Sequence, residues 1–230
     1  MTCHVNVSRH QAWHARGMFA DRQEAGRTLG VEIRARSQGG FDERGLPPIV
    51  LGLPRGGVPV AAEVAGILDL DWDVIIVRKI GAPDHPELAV GAVGEGGVIV
   101  RDPATYGHFD EGSVQEEITA ELVEVERRVR RLRGGRPVVD LTGRTVIIVD
   151  DGLATGSTMA AAVKVARARG AQRVIVAAPV GSLQAVHWLK VLADEVICPS
   201  IPPVFFAVGS HYEDFTQVSD DEVVALLEST

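Results

Sequence analysis

Apolar residues recur along this chain in two rhythms. Short unbroken runs rich in Val and Ile, at Pro48 to Leu51, Trp72 to Val77, Thr145 to Val149 and Arg173 to Ala178, have the length and composition of strands buried on both faces. Between them, Val58 to Leu68, Ser157 to Arg169 and Leu183 to Leu192 carry apolar positions at helical spacing, and Gly170 supplies a stop after the second. The order strand, loop, helix, strand appears once around the loop Gly52 to Gly57 and again around Asp150 to Gly156. That order predicts an α/β fold, with a doubly wound, mostly parallel sheet flanked by helices.

Other segments frame this core. Asp21 to Leu29 reads as a short helix ending at Gly30, with Ala25 and Leu29 on one face. The glycine-rich stretch Ile80 to Gly97, with Gly81, Gly91, Gly94, Gly96 and Gly97, is expected to hold a mobile loop and a hairpin. Ser113 to Arg133 repeats Ile118, Leu122, Val125, Val129 and Leu132 at helical spacing, and Ser113 with Glu116 has the spacing of a capping box. A short strand Glu195 to Cys198, the segment Val204 to Val208 and a helix Asp220 to Glu228 complete the pattern.

Composition narrows the function classes. With 230 residues, 46% of them hydrophobic, the chain is long enough for one well-buried core and short for two. A net charge of -8 argues against a broad nucleic-acid footprint, because phosphate contacts need clustered cations. Two cysteines, Cys3 and Cys198, make neither a disulfide framework nor a metal pair, so a reducing cytoplasm is the expected compartment. Met1 to Gly17 lacks an apolar core and reads as a flexible segment rather than a secretory signal. No apolar run reaches the roughly 18 residues of a membrane span.

The candidate chemistry sits at the second strand–loop–helix unit. Val146 to Thr158 reads VIIVDDGLATGST, placing two carboxylates at a strand end and a small, hydroxyl-rich turn at a helix start. In a doubly wound sheet ligands lie beyond the carboxyl ends of the strands, where a helix N-terminus offers free N–H groups to a phosphate. Thr155, Ser157 and Thr158 can add hydroxyl donors. Asp150 and Asp151 would repel that phosphate if they faced it, so they suit neutral hydroxyls or a magnesium ion beside it. A sugar phosphate supplies both kinds of partner.

This stretch closely resembles the signature that binds 5-phosphoribosyl-1-pyrophosphate (PRPP) in the type I phosphoribosyltransferases. The resemblance implies that Asp150 and Asp151 hold the ribose hydroxyls and magnesium, while Ala154, Thr155, Gly156, Ser157 and Thr158 cradle the 5-phosphate. Leu53-Pro54-Arg55-Gly56-Gly57 joins the other strand to its helix and resembles the family's pyrophosphate loop, with Arg55 as a forked donor and Gly56 and Gly57 permitting close approach. Arg78 and Lys79 follow a buried strand at the same edge, where the family has a basic residue before a closing loop. By resemblance Asp150, Asp151, Lys79 and Arg55 form the catalytic set, and the partners are PRPP, magnesium and a small nitrogenous acceptor. The chain from Arg78 to Gly97, with Asp21-Arg22-x-Glu24-Ala25-Gly26, also resembles a bacterial subgroup described only as predicted phosphoribosyltransferases.

The resemblance further implies one phosphoribosyltransferase-like domain over residues 18–230, with the helix 21–29 and a hood at 195–218 appended, and it leaves open a homodimer. In the hood, Phe205-Phe206-Ala207-Val208-Gly209 is similar to that of the purine enzymes, which implies that Phe206 stacks on the acceptor and that Asp214 reaches magnesium. Two departures stand out. Ala154 occupies a position where purine enzymes usually place an acid, and Ala178-Pro179-Val180-Gly181 lacks their purine-reading lysine. The dense basic run Arg127, Arg128, Arg130, Arg131, Arg133 and Arg136 reads as a solvated helix face, with Glu124–Arg128 and Glu126–Arg130 as favourable pairs. The seven histidines show no metal spacing, and Cys198 reads as packing. A second function class stays open: a regulator that binds PRPP and has lost the chemistry.

Overall fold

The computed structural model describes residues 18–37 and 46–229. The expected flexible segment Met1 to Gly17 lies outside the described residues.

The β-branched runs form the strands of one parallel sheet: β1 (Leu46–Gly52), β2 (Trp72–Val74), β6 (Arg144–Val149), β7 (Arg173–Ala177) and β8 (Glu195–Ile197), in the order β2-β1-β6-β7-β8. The chain starts inside the sheet, steps outward from β1 to β2, then returns across β1 to β6 and proceeds to the other edge. The direction of winding therefore reverses between β1 and β6, where Val50 lies opposite Ile147 and Gly52 opposite Val149. Helices on both faces explain the continuous apolar runs. Val50, Ile147, Val149 and Ile175 face α1 (Arg22–Arg36) and α2 (Gly57–Leu68). Their neighbours Ile49, Leu51, Val146, Ile148, Val174 and Val176 face α4 (Ser157–Ala168) and α5 (Leu183–Leu192). Alternate residues thus serve two cores, as the pleat requires.

A second, three-stranded antiparallel sheet leans on α4: β3 (Val77–Ala82), β4 (His85–Gly94) and β5 (Val98–Arg101). Its other cover is the long helix α3 (Glu111–Arg133) with α6 (Asp220–Glu228), through Val114, Ile118, Val125, Val223 and Leu227.

Several expectations change here. The run Trp72 to Val77 is two strands in two sheets: the Ile75 N–H still donates to Gly52 O (3.1 Å), while Ile76 O accepts from Glu95 N (3.1 Å). The glycine-rich stretch does hold the expected hairpin, with Ile80, Val90, Ala92 and Val93 buried, and Pro83-Asp84 and the turn Glu95–Gly97 lie between its strands. β5, hidden by shortness beside Gly96 and Gly97, was not foreseen. The first helix runs through Gly30 to Arg36, because Gly30 serves helix packing rather than termination: a Cβ there would lie 2.8 Å from Ile67 Cβ. α3 begins at Glu111 with Asp110 as its cap, accepting from Ser113 N, in place of the Ser113–Glu116 box. Val204 to Val208 forms no strand, and Val204 and Phe206 are exposed.

The arginine run of α3 is also only partly a solvated face. Glu124–Arg128 (2.9 Å) and Glu126–Arg130 (3.6 Å) pair as expected. Arg133, however, is 3% exposed and donates to Glu95 at 2.7 and 3.1 Å, Asp73 at 2.8 Å and Val74 O at 3.0 Å. Arg169 from the end of α4 also reaches Glu95, at 2.9 Å. This cluster fastens α3 and α4 to the place where the chain crosses between the sheets.

Candidate active site

β6 ends at Val149, so Asp150 and Asp151 project at the carboxyl edge, at the point where the winding reverses. Asp150 Oδ1 accepts the Asp151 N–H at 2.9 Å. Asp151 Oδ2 accepts from Arg22 Nε at 2.9 Å, and Arg22 Nη1 donates to Thr216 O at 2.8 Å. The Arg22 guanidinium lies 4.0 Å over the Phe215 ring, which holds it in place. Tyr212 Oη donates to Asp151 O at 2.7 Å, and burial pushes its hydroxyl above the ordinary range, so it remains a donor. Burial, and secondarily the charge of Asp151, pushes the Asp150 carboxyl well above the usual carboxylate range. Burial raises Asp151 as well, against the pull of Arg22. Two adjacent carboxylates with one cation form a site that gains from hydroxyl donors or a further cation.

The loop from β1 presses directly on this pair. Leu53 N donates to Val149 O at 2.9 Å, and the Pro54–Arg55 peptide is cis. A Cβ at Gly56 would stand 2.0 Å from Asp151 Oδ2, and one at Gly57 would stand 2.8 Å from Asp150 Cα. Any larger residue would push the two loops apart, so both glycines follow from close approach. The loop after β6 is clamped on its far side: Leu153 N donates to Val180 O (2.9 Å), Ser182 N to Leu153 O (2.8 Å) and Ser182 Oγ to Ala154 O (2.7 Å). Gly156, at φ +79°, then turns the chain into α4 with no side-chain cap. The first turn of a helix has N–H groups without intrahelical acceptors, and here an anion can take them.

A cavity of 620 Å³ opens beside that helix start. It is lined by Thr155, Ser157 and Thr158 on one side, Leu53 and Pro54 on another, Arg78 and Lys79 of β3, and Glu117, Glu121 and Arg128 of α3. Arg78 is held by Glu121 in a forked pair at 2.7 and 3.2 Å. Arg55 points instead toward Asp220, 3.6 Å away, and lines an adjoining recess with Pro54.

The structure thus presses Gly56 and Gly57 against the acid pair, and it gathers Thr155, Ser157 and Thr158 with Arg78 and Lys79 around the cavity, whose lining does not include the acids. It does not bring Phe206 or Asp214 to them. Phe206 is 87% exposed, while its neighbour Phe205 stacks on His211 at 5.3 Å. Asp214 accepts from Thr216 N and Oγ1 at 2.9 and 2.6 Å and lines a separate 410 Å³ cavity with Arg22. Among the described residues no group of three or more His, Cys, Asp and Glu is placed to hold a metal ion. The two terminal segments do meet, with Phe19 N donating to His211 O and Glu213 N to Phe19 O, both at 2.8 Å. Burial pushes the Cys198 thiol up to about 12, in keeping with a packing role.

Sequence reasoning missed Arg22 and Tyr212 as partners of Asp151, and Arg128 as a cavity residue. Arg22 and Tyr212 each stood within a quoted motif, yet only the fold shows their contact, because 129 residues separate Arg22 from Asp151.

Residues 25–214, which contain both loops and the acid pair, match the family described as phosphoribosyl transferase domain. The chain belongs to that family. Two curated Mycobacterium tuberculosis proteins, of strains CDC 1551 and H37Rv, carry the provisional name phosphoribosyl transferase and are each 48% identical over 213 residues. The match covers 92% of this chain and 46% of each relative, so the chain spans about half the length of these relatives. The solved structure of the Thermus thermophilus protein TT1426 is 43% identical, with a TM-score of 0.85 over 92% of this chain and 98% of that one. The family region includes β1, β6 and the loops that meet between them. No helix among the described residues is long and apolar enough to cross a membrane.

Proposed function

We propose that the protein binds PRPP and transfers its ribose 5-phosphate to a small nitrogenous acceptor, releasing pyrophosphate. The observation that carries this reading is the contact between two loops where the sheet reverses: an acid pair and an open helix start on one, and a glycine pair pressed against those acids on the other. Asp150 and Asp151 accept hydrogen bonds from the ribose 2- and 3-hydroxyls. The backbone amides of Gly156 to Thr158, with the hydroxyls of Thr155, Ser157 and Thr158, hold the 5-phosphate. Lys79 and Arg78 from the cavity, and Arg55 once it turns from Asp220, offset the diphosphate charge.

The acceptor nitrogen attacks C1 of the ribose, the C1–O bond to the diphosphate breaks, and its electron pair leaves with pyrophosphate. The acceptor gives up its proton to solvent or a base, and the anomeric centre inverts. Magnesium fits the donor set in one respect: Asp150 and Asp151 are adjacent carboxylates whose mutual repulsion a divalent cation relieves, and PRPP oxygens would supply the remaining ligands. When bound, it supplies charge neutralisation for the leaving diphosphate. The protein's own contribution is positioning and electrostatics, which suit a reaction needing no covalent intermediate.

The test is a pyrophosphate-release screen with purified protein, PRPP and magnesium across purines, pyrimidines and small amines. Release with at least one nitrogenous acceptor, abolished in Asp150→Asn/Asp151→Asn, is the expected result. PRPP binding without release for any acceptor would instead favour a PRPP-sensing regulator.

A further inference from the structure

Each carboxylate of the acid pair has one oxygen already engaged. Asp150 Oδ1 accepts the Asp151 N–H at 2.9 Å, and a Cβ at Gly57 would lie 3.0 Å from it. Asp151 Oδ2 accepts from Arg22 Nε at 2.9 Å, and a Cβ at Gly56 would stand 2.0 Å from it. Among the described residues this leaves a ligand hydroxyl one oxygen on each acid, Oδ2 of Asp150 and Oδ1 of Asp151. Which oxygen of Asp151 remains is set by Arg22, whose side chain is 10% exposed. Its other contacts leave it little freedom: Nη1 donates to Thr216 O at 2.8 Å, and the guanidinium lies 4.0 Å over the Phe215 ring. Tyr212 Oη fixes the backbone of the same acid through Asp151 O, at 2.7 Å. The start of α1 and the segment Tyr212 to Thr216 thus converge on Asp151, whereas Asp150 is held through the backbone of its neighbour.

We propose that Arg22 is a positioning residue that makes the site selective for one of the two ribose hydroxyls, by holding Asp151 so that Oδ1 is left to accept it. The assignment rests on the PRPP reading above and adds to it the residue that gives this acid its direction. Without Arg22 the Asp151 carboxylate is free to rotate about Cβ–Cγ, and repulsion between the adjacent acids turns it away from Asp150. A site built to hydrogen-bond a hydroxyl rejects the analogue that lacks it, because the buried acceptor is then left without a partner. That rejection needs an acceptor held in one geometry. Asp150 has its own support in the Asp151 N–H, so recognition of the other hydroxyl does not pass through Arg22. The ligand selected is a ribose phosphate carrying both hydroxyls, as opposed to a deoxyribose phosphate.

Calorimetry with ribose 5-phosphate, 2-deoxyribose 5-phosphate and 3-deoxyribose 5-phosphate tests the assignment on wild type, Arg22→Met and Arg22→Lys. Magnesium is left out so that no metal shares the acids, and circular dichroism confirms that each variant is folded. Wild type is expected to bind either deoxy sugar about tenfold more weakly than ribose 5-phosphate, the loss of one hydrogen bond to a charged acceptor. In Arg22→Met that factor is expected to fall to about twofold for one deoxy sugar and to stay near tenfold for the other, the signature of coupling between Arg22 and a single hydroxyl. Arg22→Lys keeps the charge without the planar fork and is expected to lie between. A purely structural role would weaken all three sugars by the same factor and leave both discriminations as in wild type. That result, or an equal fall in both discriminations, overturns the assignment. Should Arg22→Met fail to fold, Arg22→Lys decides by the same criteria. Wild type that binds none of the sugars, or all three equally, overturns the PRPP reading instead, so the two failures are distinct.

Discussion

Arg22 and the acid pair show how single residues trade stability for a binding site. An aspartate whose folded pKa is raised above its unfolded value, near 3.8, destabilises the folded state at pH above that raised value. Protonation as pH falls through it removes the strain. Asp150→Asn is therefore expected to raise the melting temperature at pH 7.5 and to do so less at pH 5, as read by thermal denaturation at the two values. Arg22→Met has the opposite sign. It removes the cation that holds Asp151 down, so it should cost about 2 kcal/mol at pH 7.5, and less at pH 5 where the acids are closer to protonation. A loss that is equal at both values would show that Arg22 acts through Phe215 and Thr216 O rather than through the acids. Ala154 carries a further expectation: with no acid there, and no lysine at Ala178 to Gly181 to read a purine, hypoxanthine and guanine should turn over well below the few-per-second rate ordinary for enzymes. Steady-state assays with each base, PRPP and magnesium check this. The acids, the turn and the glycines were legible because each belongs to a short contiguous motif. Arg22 and Arg128 were not, because their meaning comes from packing across distant elements.

Elements were legible where the physics is local. β1, β6 and β7 were legible because burial on both faces leaves an unbroken β-branched run, and the start of α6 is fixed locally because Ser219 and Glu222 form a capping box. The reading failed where tertiary structure decides. Nothing local divides Trp72 to Val77, since Ile75 and Ile76 are buried in either arrangement. The glycines of the β3–β4 hairpin looked like signs of mobility, yet Gly91 and Gly94 allow close packing, with a Cβ at either meeting Val100 O or Val165 Cγ1 at 2.4 Å. Arg133 belongs to this scale too, because it ties α3 to β2 and to the end of β4. Arg133→Met leaves Glu95 and Asp73 buried with less compensation, and should destabilise the protein by about 3–5 kcal/mol. Chemical denaturation reads this directly. A change below about 1 kcal/mol would mean that Arg169 suffices for Glu95 and that Asp73 needs no cation.

At the scale of the molecule, the sheet order places the site. Winding that reverses between β1 and β6 leaves a crevice at their carboxyl ends, and both strands end there in the loops that carry the glycine pair and the acid pair. In the proposed reading the ligand is PRPP, and ribose recognition by Asp150 and Asp151 is the claim on which the rest depends. Calorimetric titration of PRPP with magnesium into wild type and Asp150→Asn/Asp151→Asn tests it most directly, with circular dichroism confirming that the variant is folded. The account predicts saturable binding by wild type and at least a tenfold loss, about 1.4 kcal/mol, in the variant; the same affinity in both proteins would contradict it.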